Sequence, residues 1–333
     1  MITTRLTQRF AIKHPILCAP MALISGGRLA AAVSAAGGLG ILGGGYAGAL
    51  GNEPDLDEQY RAAGNTPIGI GFITWAAEKN REAVDWAIAR HPACLFLSFG
   101  SPAAFARKAN DAGGPLICQA QTLRHVEEAL DAGAMAIVAQ GGEAGGHGGR
   151  RGTLPFVPEA ADLLAKRAPN VLLIAAGGIA DGRGLAASLM LGADGVLVGT
   201  RFWAAEEALT PPAAVAGAAA ASGDETVRTA AIDPLRGVPW SEQYSFRMMR
   251  NRVTDEWAHR EPEARDQFGT LKSVYDVARE RGDFDVLPVV AGEAIGLIAA
   301  RSPAADIVSA MVSQAERALQ GGRALIEGNK RAE

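Results

Sequence analysis

The residue best equipped for chemistry is His147, set in Gln140-Gly141-Gly142-Glu143-Ala144-Gly145-Gly146-His147-Gly148-Gly149. Six glycines in these ten residues let the backbone fold closely over a flat ligand. Imidazole exchanges a proton near neutral pH, so His147 is the candidate acid or base; its bland alternative is to cap the loop through its own backbone. Glu143 either orients this loop or holds the arginines that follow it. Arg150 and Arg151 in turn face an anion or simply solvent.

Two glycine turns suit a phosphate. The apolar run Val171–Ala176 ends in Gly177-Gly178, and Gly195–Val198 ends in Gly199-Thr200. Glycine lets backbone N–H groups converge on an anion, a following helix N-terminus adds a favourable dipole, and Thr200 adds a hydroxyl. One such turn says little. Two on successive strands predict a phosphate, carried by a nucleotide or by a sugar.

Further strand ends carry ligand candidates. Pro20, Met21 and Ala22 close the first apolar run and stiffen a surface for a ring edge, although Met21 suits a core equally well. Thr74, Gln119 and Gln140 are polar at the ends of otherwise apolar runs, which suggests hydrogen bonds to a ligand; Trp75 reads as packing. Cys18, Cys94 and Cys118 lie inside apolar runs without metal-ligand spacing, so they read as buried hydrophobes in a reducing compartment. Cys18 is the candidate should a thiol act. His14, His91, His125 and His259 read as surface residues. No HExxH or GxSxG motif is present, so zinc hydrolysis and serine hydrolysis lose support and no metal is expected; no GxGxxG stands as an isolated nucleotide fingerprint after the first run, and Gly38-Leu39-Gly40, before or within the second, is a weak signal.

These residues need a scaffold, and the chain supplies a repeating one. Eight apolar runs recur: Ile16–Pro20, Gly40–Leu42, Ile68–Ile73, Cys94–Phe99, Leu116–Gln119, Ala134–Gln140, Val171–Ala176 and Gly195–Val198. Amphipathic or alanine-rich segments of helical length separate them. Strands alternating with helices predict a parallel sheet, and eight repeats predict its closure into a (β/α)₈ TIM barrel. Asp131-Ala132-Gly133 and Leu191-Gly192-Ala193-Asp194 read as helix-to-strand turns at the lower face, with glycine ending each helix. Past Thr210 the pattern changes to charged helical stretches with no further strand signal. The expected layout is a barrel over 1–210, a helical appendage over 211–299 on the active-site face, and a helix over 300–320 completing the wall.

Composition narrows the partners. A net charge of −4 without a basic block argues against nucleic acid. The apolar stretches are too short or interrupted for a transmembrane helix, and the polar start lacks a signal-peptide core, so a cytoplasmic setting is expected. A homodimer is among the assemblies left open.

Together, Ala19-Pro20-Met21-Ala22, the Gln140–Gly148 loop, Ala176-Gly177-Gly178-Ile179-Ala180-Asp181-Gly182 and Val198-Gly199-Thr200-Arg201-Phe202 resemble the nitronate monooxygenase family, formerly 2-nitropropane dioxygenases. The likeness extends to the tail motif Gly292-Glu293-Ala294-Ile295-Gly296-Leu297-Ile298. It implies non-covalent FMN at the barrel mouth, with phosphate on Gly177, Gly178, Gly199 and Thr200. The ring would lie against Pro20, Met21 and Ala22, near Thr74, Gln119, Gln140 and Gly145. It implies that His147 removes the α-proton of a neutral nitroalkane, and that nitronates react with O2 to give carbonyl compounds and nitrite. The same superfamily holds NAD(P)H-dependent quinone reductases and a flavin enoyl-thioester reductase. The latter follows its histidine with a different sequence from Gly148-Gly149-Arg150-Arg151-Gly152-Thr153, which ranks it lower. A flavin-free phosphosugar isomerase or lyase is the alternative of another class. No certain cation for a reduced flavin is visible in the sequence.

Overall fold

A run of apolar residues with no polar face forms a strand only where both sides are covered, and that is how the eight runs are used. In the computed structural model, which describes residues 2–326 except 52 and 219, the strands are β1 (Ile16–Cys18), β2 (Ile41–Gly45), β3 (Gly69–Ile73), β4 (Leu95–Ser98), β5 (Leu116–Ala120), β6 (Ala136–Gln140), β7 (Gly146–Gly148), β8 (Leu172–Ala176), β9 (Gly195–Val198), β10 (Thr226–Thr229) and β11 (Ser245–Met249). Eight of them form a sheet in the order β1-β9-β8-β6-β5-β4-β3-β2, with every pairing parallel. A parallel bridge between Leu17 and Leu39 closes the ring: Cys18 N–H donates to Leu39 O at 2.9 Å, and Leu39 N–H donates to Ile16 O at 3.0 Å. The molecule is a (β/α)₈ barrel.

Side chains alternate between two cores. Leu17, Ile41, Phe96, Ile117, Val138, Ile174 and Leu197 fill the barrel interior, with Leu6 of the N-terminal helix Arg5–Phe10 joining them. Their neighbours, including Leu173, Ala175, Val196 and Val198, face outward into the helix layer. Burying side chains of this size is worth roughly 1.5–3 kcal/mol each, which is what holds the sheet closed.

The final helix, Ala304–Ile326, packs against Gly182–Met190 and Gly27–Ala35 and so covers the wall beside β9 and β1. The stretch past Thr210, here termed the appendage, brings Arg236, Trp240 and Phe246 to the same cavity as the strand-end residues Gln119 and Gln140.

One expectation needs correction. The segment after Thr210 carries strands as well as helices, because β10 and β11 pair antiparallel with each other and β11 pairs with β7 of the barrel's own loop. Both are short, and their arginines make Thr226–Thr229 and Ser245–Met249 read as solvated. In fact Arg228 and Arg247 turn inward to main-chain carbonyls, while Phe246 and Met248 enter a separate core with Trp257 and Val286.

Candidate active site

The strand ends and the appendage enclose a cavity of about 430 Å³. Pro20, Met21 and Ala22 after β1, Gln119 of β5, Gln140 of β6 and His147 of β7 all line it. The appendage contributes Arg236, Trp240 and Phe246, and the loop after β2 contributes Tyr46. The lining is chiefly apolar, the usual character of a small-molecule site.

His147 is positioned by pairing of its strand. It sits opposite Phe246 in the β7–β11 register, and its ring stacks on Trp240 at a centroid distance of 3.4 Å and 11° between planes. Nε2 lies 2.9 Å from both carboxylate oxygens of Asp233. A carboxylate only accepts, so Nε2 carries the proton and Nδ1 keeps its lone pair. Burial pulls the imidazole down to about 4, outweighing the opposite pull of Asp233. His147 is therefore neutral at physiological pH and able to accept a proton at Nδ1.

The loop that carries His147 is held by charges from elsewhere. Arg228 donates to the carbonyls of Gly142 (2.9 Å), Ala144 (2.9 Å), Gly148 (3.3 Å) and Ser245 (2.6 Å). Burial, with Arg247 beside it, draws this guanidinium down to about 10, still charged at neutral pH. Arg247 donates to Gly142 O at 3.1 Å and pairs with Glu293 at 2.7 Å. Glu143 accepts from the N–H and hydroxyl of Thr153, each at 2.8 Å, and so caps the helix Thr153–Arg167. Its role here is to fasten the loop. Arg150 is exposed, whereas Arg151 pairs with Glu159 at 2.8 Å and covers Phe156.

The two glycine turns leave neighbouring strands at the same end, since Ala176 of β8 is in register with Leu197 of β9. Gly177 and Gly178 have φ of +103° and +70°, conformations that other residues adopt only with strain. Gly199 differs: it has no positive φ, and a Cβ there would meet nothing closer than 3.8 Å. Thr200 opens the short helix Thr200–Trp203, and its hydroxyl oxygen accepts from Gly292 N–H at 3.0 Å. Gly145 also meets the tail motif, where a Cβ would stand 2.7 Å from the backbone of Ala291 and Gly292. The tail thus touches both the histidine loop and the β9 turn.

Not every sequence candidate reaches the cavity. Gly145, Gly177, Gly178, Gly199 and Thr200 are not in its lining. Thr74 is fully buried beneath Gly100, and its hydroxyl has no partner among the described residues. Trp75 packs edge-on against Tyr46 and Trp240. The three cysteines are buried, and burial pushes each thiol up to about 12, so none is a thiolate at neutral pH. His125 is half-buried, its Nδ1 accepting from Gln121 N–H at 3.4 Å.

Sequence reasoning missed Asp233, Arg236, Trp240 and Tyr46. The available signal was Val238-Pro239-Trp240, a tryptophan stiffened by proline within an otherwise charged stretch. Nothing in local spacing joins Asp233 to a histidine 86 residues earlier.

A closed (β/α)₈ barrel with a buried, carboxylate-oriented histidine lining an apolar cavity at its strand ends has the layout of a barrel enzyme. The family profile described as nitronate monooxygenase matches residues 3–91 and 73–314. The nitronate monooxygenase npaC of Metarhizium robertsii is 35% identical over 340 residues, covering 91% of each chain. Among solved structures, FabK from Thermotoga maritima superposes with a TM-score of 0.82 at 29% identity, covering 98% of this chain and 100% of that one. Nitroalkane oxidase from Streptomyces ansochromogenes gives a TM-score of 0.74 at 25% identity, with coverage of 93% and 98%. This chain belongs to the nitronate monooxygenase family and is an oxidoreductase. Among the described residues, no helix is long and apolar enough to cross a membrane.

Proposed function

We propose that this protein is an FMN-dependent nitronate monooxygenase that also accepts neutral nitroalkanes after His147 removes their α-proton. The observation that carries the reading is the His147–Asp233 pair: Nε2 is committed to the carboxylate, so the Nδ1 lone pair of a neutral imidazole serves a chiefly apolar cavity.

The residues present fit a flavin. Gln140 Oε1 accepts from Gln119 (3.1 Å) and Gln121 (3.0 Å), so its amide nitrogen, without an acceptor among the described residues, is free for a ring carbonyl or nitrogen. Pro20, Met21 and Ala22 supply an apolar edge, and Gly177, Gly178, Gly199 and Thr200 would hold the phosphate with backbone N–H groups and a hydroxyl. FMN, when bound, supplies the electron-accepting chemistry that couples nitronate oxidation to O2, with a carbonyl compound and nitrite as products. The chain's own share is to hold the substrate, exclude water and move one proton. Stacking on Trp240 and bonding to Asp233 fix the ring against rotation, so Nδ1 meets the α-carbon without reorganisation.

The test is absorbance at the flavin band under nitrogen. Rapid bleaching by ethylnitronate, followed by reoxidation on admitting air with release of nitrite, is the expected result. Bleaching by NADH or NADPH with no response to ethylnitronate would replace this reading with a nicotinamide-dependent reductase.

A further inference from the structure

A base that removes a proton from carbon needs somewhere for the negative charge to go. In a nitroalkane it goes to the two nitro oxygens, and the wall beside His147 is built of donors. Arg236 is buried, with a side chain only 12% exposed, yet it lines the cavity. Of its five N–H donors, the described residues engage two, Asp233 Oδ1 and Tyr46 Oη, both at the long distance of 3.5 Å. Tyr46 Oη already accepts from Trp240 Nε1 at 3.0 Å as well as from Arg236, and its own proton has no acceptor among the described residues. Two buried side chains therefore present unused donors to one space. Leaving such groups unpaired is costly, which marks the place as one that an acceptor-rich ligand completes.

We infer that Arg236 and Tyr46 form an oxyanion site that receives the planar pair of nitro or nitronate oxygens while His147 Nδ1 faces the α-carbon. The inference rests on the nitronate-oxidising reading of the same cavity. In the deprotonation step the C–H electron pair becomes the C=N bond, an N=O pair moves onto oxygen, and the proton passes to Nδ1. Substrate charge changes from zero to −1 as the imidazole goes from zero to +1. The guanidinium meets the new anion with a planar fork matched to two oxygens, and Asp233 meets the new imidazolium. Asp233 thus joins both halves, at 2.9 Å from the base and 3.5 Å from the anion holder.

The experiment is calorimetric titration of the flavin-loaded protein with sodium nitrate, a planar oxyanion that needs no turnover to report. Wild type is expected to bind it, and Arg236→Met and Tyr46→Phe are each expected to weaken binding by about 10-fold or more, the loss typical of a hydrogen bond to a charged group. Arg236→Lys is expected to recover part of the loss, since it restores charge without the fork. Should the methionine variant not fold, Tyr46→Phe carries the measurement. Unchanged nitrate affinity in the variants overturns the site. Two further substrates locate the anion held. A raised KM for both ethylnitronate and propionate 3-nitronate in Arg236→Lys supports the assignment. An effect confined to the carboxylated substrate overturns it, because the guanidinium would then hold the distal carboxylate. If wild type oxidises no nitronate yet binds nitrate through Arg236, the functional reading falls and the oxyanion site stands.

Discussion

The Nε2 atom of His147 stands 2.9 Å from each carboxylate oxygen of Asp233, so that one residue of the barrel loop takes its tautomer from another in the appendage. Asp233→Asn is the direct probe. An asparagine can turn its amide N–H toward Nε2 and so reverse the tautomer. Turnover of neutral nitroethane is expected to fall by about 10²–10⁴-fold, the span of general-base catalysis. Ethylnitronate, which needs no deprotonation, is expected to retain most of its rate. Equal losses on both substrates would show that Asp233 supports the cavity and not the base.

His147 itself predicts a pH signature. Its folded value, about 4, lies below the ordinary 6.5. The unfolded chain therefore binds the extra proton first, and stability rises with pH across this interval. The contribution is complete above pH 6.5 and is lost as pH falls through 4, at most about 3 kcal/mol at 1.36 kcal/mol per unit. Denaturant titrations at pH 7.5 and 4.5, compared between wild type and His147→Asn, isolate it from His14 and His125, which are also lowered by burial. A pH dependence identical in both proteins would refute the burial argument. The same shift leaves proton abstraction in the free enzyme insensitive to pH between about 5 and 8 as far as this group is concerned.

Gly199 separates folding from cofactor binding. Its backbone needs no glycine, and a methyl there has ordinary contacts, the nearest being Ala19 and Met21 at 3.8 Å. Gly199→Ala is thus expected to melt within about 2 °C of wild type, as surface-like changes of a few tenths of a kcal/mol do. If the turn holds the phosphate, FMN affinity measured by fluorescence recovery falls at least about 10-fold, the equivalent of 1.4 kcal/mol. Undiminished FMN binding would remove this turn from the phosphate site.

Arg228 tests how the histidine loop is held. Arg228→Met strips donors from the carbonyls of Gly142, Ala144, Gly148 and Ser245 together. Several part-buried acceptors lose charged donors, so a loss of about 3 kcal/mol or more in chemical denaturation is expected. Faster exchange of the β7 amides in hydrogen–deuterium measurements should accompany it. A stable variant with protected amides would mean that Arg247 alone suffices.

The barrel was legible because its strands are covered on both sides. Runs such as Leu172–Ala176 stay apolar at every position, and glycine at 133 and 192 marks where helices stop. His147, Gln119, Gln140 and Pro20–Ala22 were legible for a related reason, as polar or stiff residues at the ends of such runs that do line the cavity. Thr74 obeys the same rule yet is not in the lining, since the chain enters the helix Thr74–Ala77 at that residue and lays its Cβ and Cγ2 against Gly100. Strands β10 and β11 escaped because Arg228 and Arg247 alternate with apolar residues and look solvated, although their charge is spent on carbonyls. Asp233 and Arg236 were invisible for a deeper reason: their meaning comes from a β7–β11 pairing about 100 residues apart, as in Arg247 with Gly146.

That pairing gives the appendage a part in setting His147 as well as in the shape of the cavity. Because β7 follows a barrel strand and β11 lies in the appendage, orientation of His147 is a property shared across the two. In a chimaera that combines this barrel with residues 211–299 of a relative, the donor of the graft would dictate proton acceptance along with pocket contour. Selectivity between neutral nitroalkanes and their anions would then be inherited as a cassette.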